Sequence, residues 1–133
     1  MTTDTKTNAY IEETGESAYA VNITVSGHAL KVDQPVAGGG ENLGPSPYGM
    51  LLAALGECMA MTVRWYSIQQ EWPLQKVEVT LTHEKVDEMD VFEKTIIIHG
   101  VQLTDNQRQK LMDVSAKCLV QRTLESDIVI RTL

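Results

Sequence analysis

From Tyr19 onward, apolar and polar residues alternate. Tyr19, Val21, Ile23 and Val25 face one way, and Ala20, Asn22 and Thr24 the other, which is the period of a half-buried strand. Ser26-Gly27 supplies a two-residue turn, and His28, Leu30 and Val32 resume the alternation, so a β-hairpin is predicted. Residues 1–16 are polar and are expected to be loose. Residues 34–47, with four glycines and three prolines, read as a loop. Ser46-Pro47 then opens a helix, with serine as the N-cap and proline at the first helical position, where its missing N–H costs nothing. From Met50 to Val63 that helix is apolar on nearly all sides, with Glu57 its lone charge. Such a helix is expected to be buried all round, more cover than one small chain can supply, so a second subunit is inferred.

Further on, Val77, Val79 and Leu81 alternate with Glu78, Thr80 and Thr82. After a polar turn near residues 87–90, Lys94–His99 forms the return strand around Ile96, Ile97 and Ile98. Thr104-Asp105-Asn106-Gln107 is a T-x-x-Q capping box that starts another helix, carried by Leu111, Met112, Val114 and Ser115 towards Cys118. Ser126-Asp127 leads into a last short strand, Ile128–Ile130. The order β-β-α-β-β-α-β makes the fold class α+β, in one domain over residues 1–133, with no internal repeat.

Composition narrows the function. A formal net charge of −7 in 133 residues, with a pI near 4.8, argues against nucleic acid and against docking on anionic lipid, both of which need clustered Lys and Arg. The polar N-terminus is no signal peptide, and no run approaches the length of a membrane span. A cytoplasmic protein is expected. His28, His83 and His99 lack ligand spacing and there is no CxxC, so no metal is expected. The glycine run 38–40 has neither GxxxxGK[ST] nor GxGxxG spacing, there is no G-x-S-x-G elbow, and no bound cofactor is expected. Trp65, Tyr66 and Trp72 read as packing residues.

The candidate chemistry lies in Cys58 and Cys118, 60 positions apart. In a reducing compartment a structural disulfide is disfavoured; the pair is either two inert buried thiols or a redox couple. Cys58 lies about three turns into its helix, beyond the reach of the N-terminal dipole, and shares a face with Ala54, Met61, Thr62 and Trp65. Burial alone leaves a thiol inert, so a cation or hydrogen-bond donors must come from elsewhere. Arg64 sits about 120° away round the helix. Arg122, four residues beyond Cys118, shares that cysteine's face if the helix continues through 122; otherwise it is a surface ion-pair residue. Lys117 and Lys31 are weaker candidates. Glu57 either meets a wet edge or pairs with a base.

Beyond pattern, the segment GGENLGPSPYGMLLAALGECMAMTVRWYS (39–67), with KCLVQRTL (117–124) and the intervening WPLQKVEVTLTHEK (72–85), resembles the OsmC/Ohr family. The likeness is greatest to its short branch, which carries GPSPYELLLAALGACTAM-like and CPVHRTL-like runs. The resemblance implies an intertwined homodimer of α+β fold, with central helices packed between antiparallel sheets and the active site at the subunit interface. It also implies that Cys58 attacks an organic hydroperoxide and becomes a sulfenic acid, that Cys118 condenses with it to a disulfide, and that a dithiol reductant reopens the bridge.

Departures from the family pattern set the alternative. Tyr48 and Gly49 stand where family members carry glutamate, no arginine precedes Arg64, and Leu119 and Gln121 replace the usual proline and histidine. A Glu at 49 would complete a capping box or align the activating base. Its loss motivates a second reading, a non-enzymatic redox-sensing or hydrophobic-ligand-binding dimer on the same scaffold.

Overall fold

The structure, a computed structural model, describes residues 6–133. They fall into two compact units that divide at residues 51/52.

In the first unit, β1 (Ala9–Glu13), β2 (Val21–Val25) and β3 (His28–Val32) form an antiparallel sheet in that order. Ile23 sits opposite Ile11 on one side and Leu30 on the other. Ser26 and Gly27 both adopt positive φ, 51° and 77°, the backbone that a two-residue hairpin turn demands. β1 corrects the expectation of a loose start over its residues, while residues 1–5 lie outside the described chain. All five of its side chains are exposed, so the strand is held by its ladder to β2 and leaves no alternation to read.

The glycine-rich loop is organised by a carboxylate. Asp33, buried, accepts hydrogen bonds from Ser17 Oγ (2.9 Å) and from the backbone N–H groups of Gln34 (2.8 Å), Glu41 (3.0 Å) and Leu43 (3.3 Å). Two of the glycines are there for close backbone approach, since a Cβ on Gly40 or Gly44 would lie 2.1 Å from the carbonyl oxygen of Gln34 or Lys31. Burial alone would raise the Asp33 pKa, but the bonds from Glu41, Ser17, Leu43 and Gln34 outweigh it and hold it below the ordinary aspartate value. A depressed folded-state pKa adds stability above the unfolded value of about 3.9, lost as the pH falls through the lower folded value. Asp33→Asn is therefore expected to weaken the fold at neutral pH and to flatten its acid-denaturation limb below about pH 4, as followed by circular dichroism.

α1 (Pro47–Gln70) starts as its sequence predicts, with Ser46 Oγ accepting the Gly49 N–H at 3.1 Å. Position 49 is thus N3, and with glycine there the cap is one-sided. From residue 52 on, Leu55, Cys58, Met59, Thr62, Val63 and Ser67 form the buried face. Burial on every side is not met within the single chain. Met61, Trp65 and Ile68 are exposed, Ile68 by 62%.

β4 (Lys76–Val86) and β5 (Met89–His99) pair antiparallel around a tight turn at Asp87 and Glu88, both at positive φ. The turn is shorter than expected and the return strand longer. A Cβ on Gly56 would stand 3.0 Å from Leu81 Cδ1, so the absent side chain lets β4 close on α1. α2 (Asp105–Ser115) has the full capping box, with Thr104 Oγ1 accepting the Gln107 N–H at 3.1 Å and the Thr104 N–H donating to Gln107 Oε1 at 3.0 Å. The helix does not run on to Cys118. It stops at Ser115, and a separate helix, α3 (Leu119–Leu124), follows. The predicted last strand, Ile128–Ile130, is absent: those residues are exposed and no described strand pairs with them.

Two apolar clusters support this unit. Val63, Leu74, Leu103 and Leu111 form one, with Tyr66, Trp72, Val77 and Ile98 packed on it. Tyr66 and Trp72 meet edge to face at 5.5 Å, as packing residues. The other cluster holds both cysteines.

Candidate active site

α1 places Cys58 on its buried face, and the link after α2 turns Cys118 inward at the N-cap of α3. Cys118 adopts extended backbone (φ −64°, ψ 149°), and its Sγ accepts the Gln121 N–H at 3.4 Å. The two thiols are free and belong to one buried cluster. They share a cluster with Leu55 and Met59, against which Val79, Leu81, Phe92, Leu119, Val120 and Leu124 pack. Remote in sequence, the two cysteines meet in one apolar cluster. The Thr62 hydroxyl donates to the Cys58 carbonyl at 2.7 Å, one helical turn back along α1.

Burial pushes the Cys118 pKa up. The Gln121 N–H pulls against this, the adjacent Cys58 adds to the rise, and the charge of Lys94 opposes it; the net direction is upward. At rest Cys118 is a protonated thiol.

The cations are distributed differently from the sequence-based expectation. Arg64 is committed to backbone, donating to the carbonyls of Leu74 (2.9 Å) and Gln75 (3.1 Å). Arg122 does follow Cys118 by four residues, its N–H bonding the Cys118 carbonyl at 3.1 Å. It shares a short helix that Cys118 only caps, and its side chain is exposed. Lys31 pairs with Glu16, and Lys117 is exposed.

Sequence reasoning missed Lys94. In the β4–β5 ladder Leu81 stands opposite Lys94, between the pairs Val79–Ile96 and His83–Phe92. Directly opposed residues share a sheet face, so Lys94 occupies the face whose Val79, Leu81 and Phe92 pack on the cysteine cluster. Its Nζ donates to Gln121 Oε1 at 3.2 Å. The signal was available: Lys94 has the parity of Ile96 and Ile98. On the same face His83 Nε2 lies 2.9 Å from Asp90 Oδ1, and this bond first, with Lys85 adding, holds the Asp90 carboxyl below its usual range.

Glu57 is at a wet edge, on an open groove of about 350 Å³ otherwise lined by Leu52, Ala53, Gly56, Ala60, Val79 and Leu81. A second groove, about 580 Å³, is lined by Ala60, Met61, Arg64, Trp65, Ile68, Gln75, Lys76 and Val77. No helix among the described residues is long and apolar enough to cross a membrane.

An α+β chain whose long helix delivers one thiol to another, beneath a two-stranded sheet, defines a two-cysteine fold class. The family model for OsmC-like protein matches residues 38–132, and the chain belongs to that family. Among solved structures it is similar to an OsmC-like protein from Mycoplasma pneumoniae (16% identity, 93% of this chain and 90% of that one, TM-score 0.77). It is also similar to the organic hydroperoxide resistance protein OsmC from Legionella pneumophila (17%, 94% and 93%, TM-score 0.69). A third likeness is to the organic hydroperoxide resistance protein OhrB of Bacillus subtilis (14%, 92% and 93%, TM-score 0.63). At these identities the likeness is one of fold. Comparison with curated proteins gives no match.

Proposed function

We propose that the protein is a cytoplasmic, homodimeric thiol peroxidase that reduces organic hydroperoxides. Cys58 attacks the terminal peroxide oxygen as a thiolate, releasing the alcohol and becoming a sulfenic acid. Cys118 condenses with it to a Cys58–Cys118 disulfide, and a dithiol reductant restores both thiols. Arg122 remains the candidate for supporting the Cys58 thiolate. The observation that carries this reading is the pair of free thiols, remote in sequence, buried in one apolar cluster. The apolar lining suits an alkyl or aryl hydroperoxide over hydrogen peroxide. Membership of the OsmC-like family, and fold neighbours named for organic hydroperoxide resistance, support it.

The test uses reduced protein and one equivalent of an aryl hydroperoxide. Both thiols are expected to disappear together, with peptide mapping finding Cys58 joined to Cys118. Peroxide loss with both thiols intact would refute the proposal. A second reading, a redox-sensing or hydrophobic-ligand-binding dimer, draws on the open groove lined by Met61, Trp65 and Ile68. It predicts a co-purifying apolar ligand and no turnover.

A further inference from the structure

Lys94 is exposed, yet it stands on the sheet face whose Val79, Leu81 and Phe92 pack on the cysteine cluster. The other cations on α1, α2 and the β4–β5 hairpin have their own partners. Arg64 holds the carbonyls of Leu74 and Gln75. Arg108 holds those of Ile98 and Gly100. Lys76 and Lys85 lie by Glu78 and Asp90, and Lys110 lies over the Tyr66 ring. Lys94 has instead the side-chain oxygen of Gln121 at 3.2 Å, a neutral acceptor that orients the ammonium group without neutralising it. The same Gln121 gives its backbone N–H to Cys118 Sγ at 3.4 Å. One residue thus holds the lysine with its side chain and the sulfur with its main chain.

Resting on the peroxidase reading above, we infer that Lys94, oriented by Gln121, is the positioning cation that supports negative charge on the Cys118 sulfur as it attacks the Cys58 sulfenic acid. Lys94 therefore governs the disulfide-forming step and not the first attack on peroxide. In that step the S–S bond forms and the S–O bond of the sulfenic acid breaks. The departing hydroxide takes up the proton that Cys118 has given up and leaves as water. The oxidant is the organic hydroperoxide, already consumed in making the sulfenic acid, and Lys94 keeps its proton throughout. A Coulombic pull of Lys94 on Cys118, against the burial that disfavours its thiolate, fits this role. When the dithiol later reopens the bridge by attacking Cys58, the same ammonium group favours Cys118 as the leaving thiolate, since a stabilised thiolate leaves faster.

The experiment separates the two chemical steps by rapid quench after mixing reduced protein with an aryl hydroperoxide. Sulfenic acid is read with a dimedone-type trap and disulfide by loss of both thiols. Lys94→Met, which keeps the length of the apolar stem, is expected to form sulfenic acid at the wild-type rate. Its disulfide formation should be slower by about tenfold, equivalent to about 1.4 kcal/mol of barrier. Lys94→Arg is expected to restore most of that rate, because it returns the charge. Disulfide formation at the wild-type rate in Lys94→Met overturns the inference. So does a Lys94→Arg variant as slow as Lys94→Met, which would assign the loss to packing. Wild-type protein that forms no sulfenic acid would instead overturn the peroxidase reading, and this inference with it.

Discussion

Cys58→Ser is expected to abolish hydroperoxide consumption, while Cys118→Ser keeps a single stoichiometric turnover and then stops. The serine hydroxyl is a far weaker nucleophile than a thiolate, and the buried face of α1 gives position 58 no base to activate it. The loss should amount to several orders of magnitude, as when other enzymes lose their nucleophile. Cys118→Ser leaves the first step possible and removes the sulfur that resolves it. The sulfenic acid then persists beside Leu55 and Met59 until an external thiol reaches it. Peroxide consumed per chain, followed by a dye-coupled assay, distinguishes none, one and many turnovers. Continued cycling by Cys58→Ser would remove Cys58 from the mechanism.

The largest expected loss of stability comes from Leu111→Ala. Leu111 is fully buried on α2, among Val63 from α1, Leu74 and Leu103. Deleting its branched end forfeits burial and leaves a hole that helices anchored on both sides cannot close. That costs about 2–5 kcal/mol, a large share of what a domain this size has to spare. In urea the midpoint should fall while the slope stays the same. An unchanged midpoint would mean that α2 is held by something other than this cluster.

Much of the fold was legible wherever a local rule governs. The Ser26-Gly27 turn, the Ser46 cap and the Thr104–Gln107 box each involve residues a few positions apart, and each forms as read. What escaped depends on distant partners. β1 is a strand only because β2 offers it a ladder. Ile128–Ile130 has the composition of a strand but pairs with none of the described strands. The α2–α3 break at Ala116–Cys118 lies in a stretch with neither glycine nor proline, so the usual stop signals are missing. For the site, the cysteine pair was singled out through family resemblance, since composition alone favours two inert buried thiols. Lys94 is far from both cysteines in sequence, and only the pairing of β4 with β5 puts it on the face that packs against their cluster.

The Cys118 sulfur is also the knot that ties off the first turn of α3, a helix of only six residues, too short to hold its winding unaided. Were that sulfur drawn into a bond with Cys58, its electron pairs would turn towards a new neighbour and the knot would slacken. The oxidation of a hidden atom would then reach the exposed Arg122 and Thr123 of the same short helix.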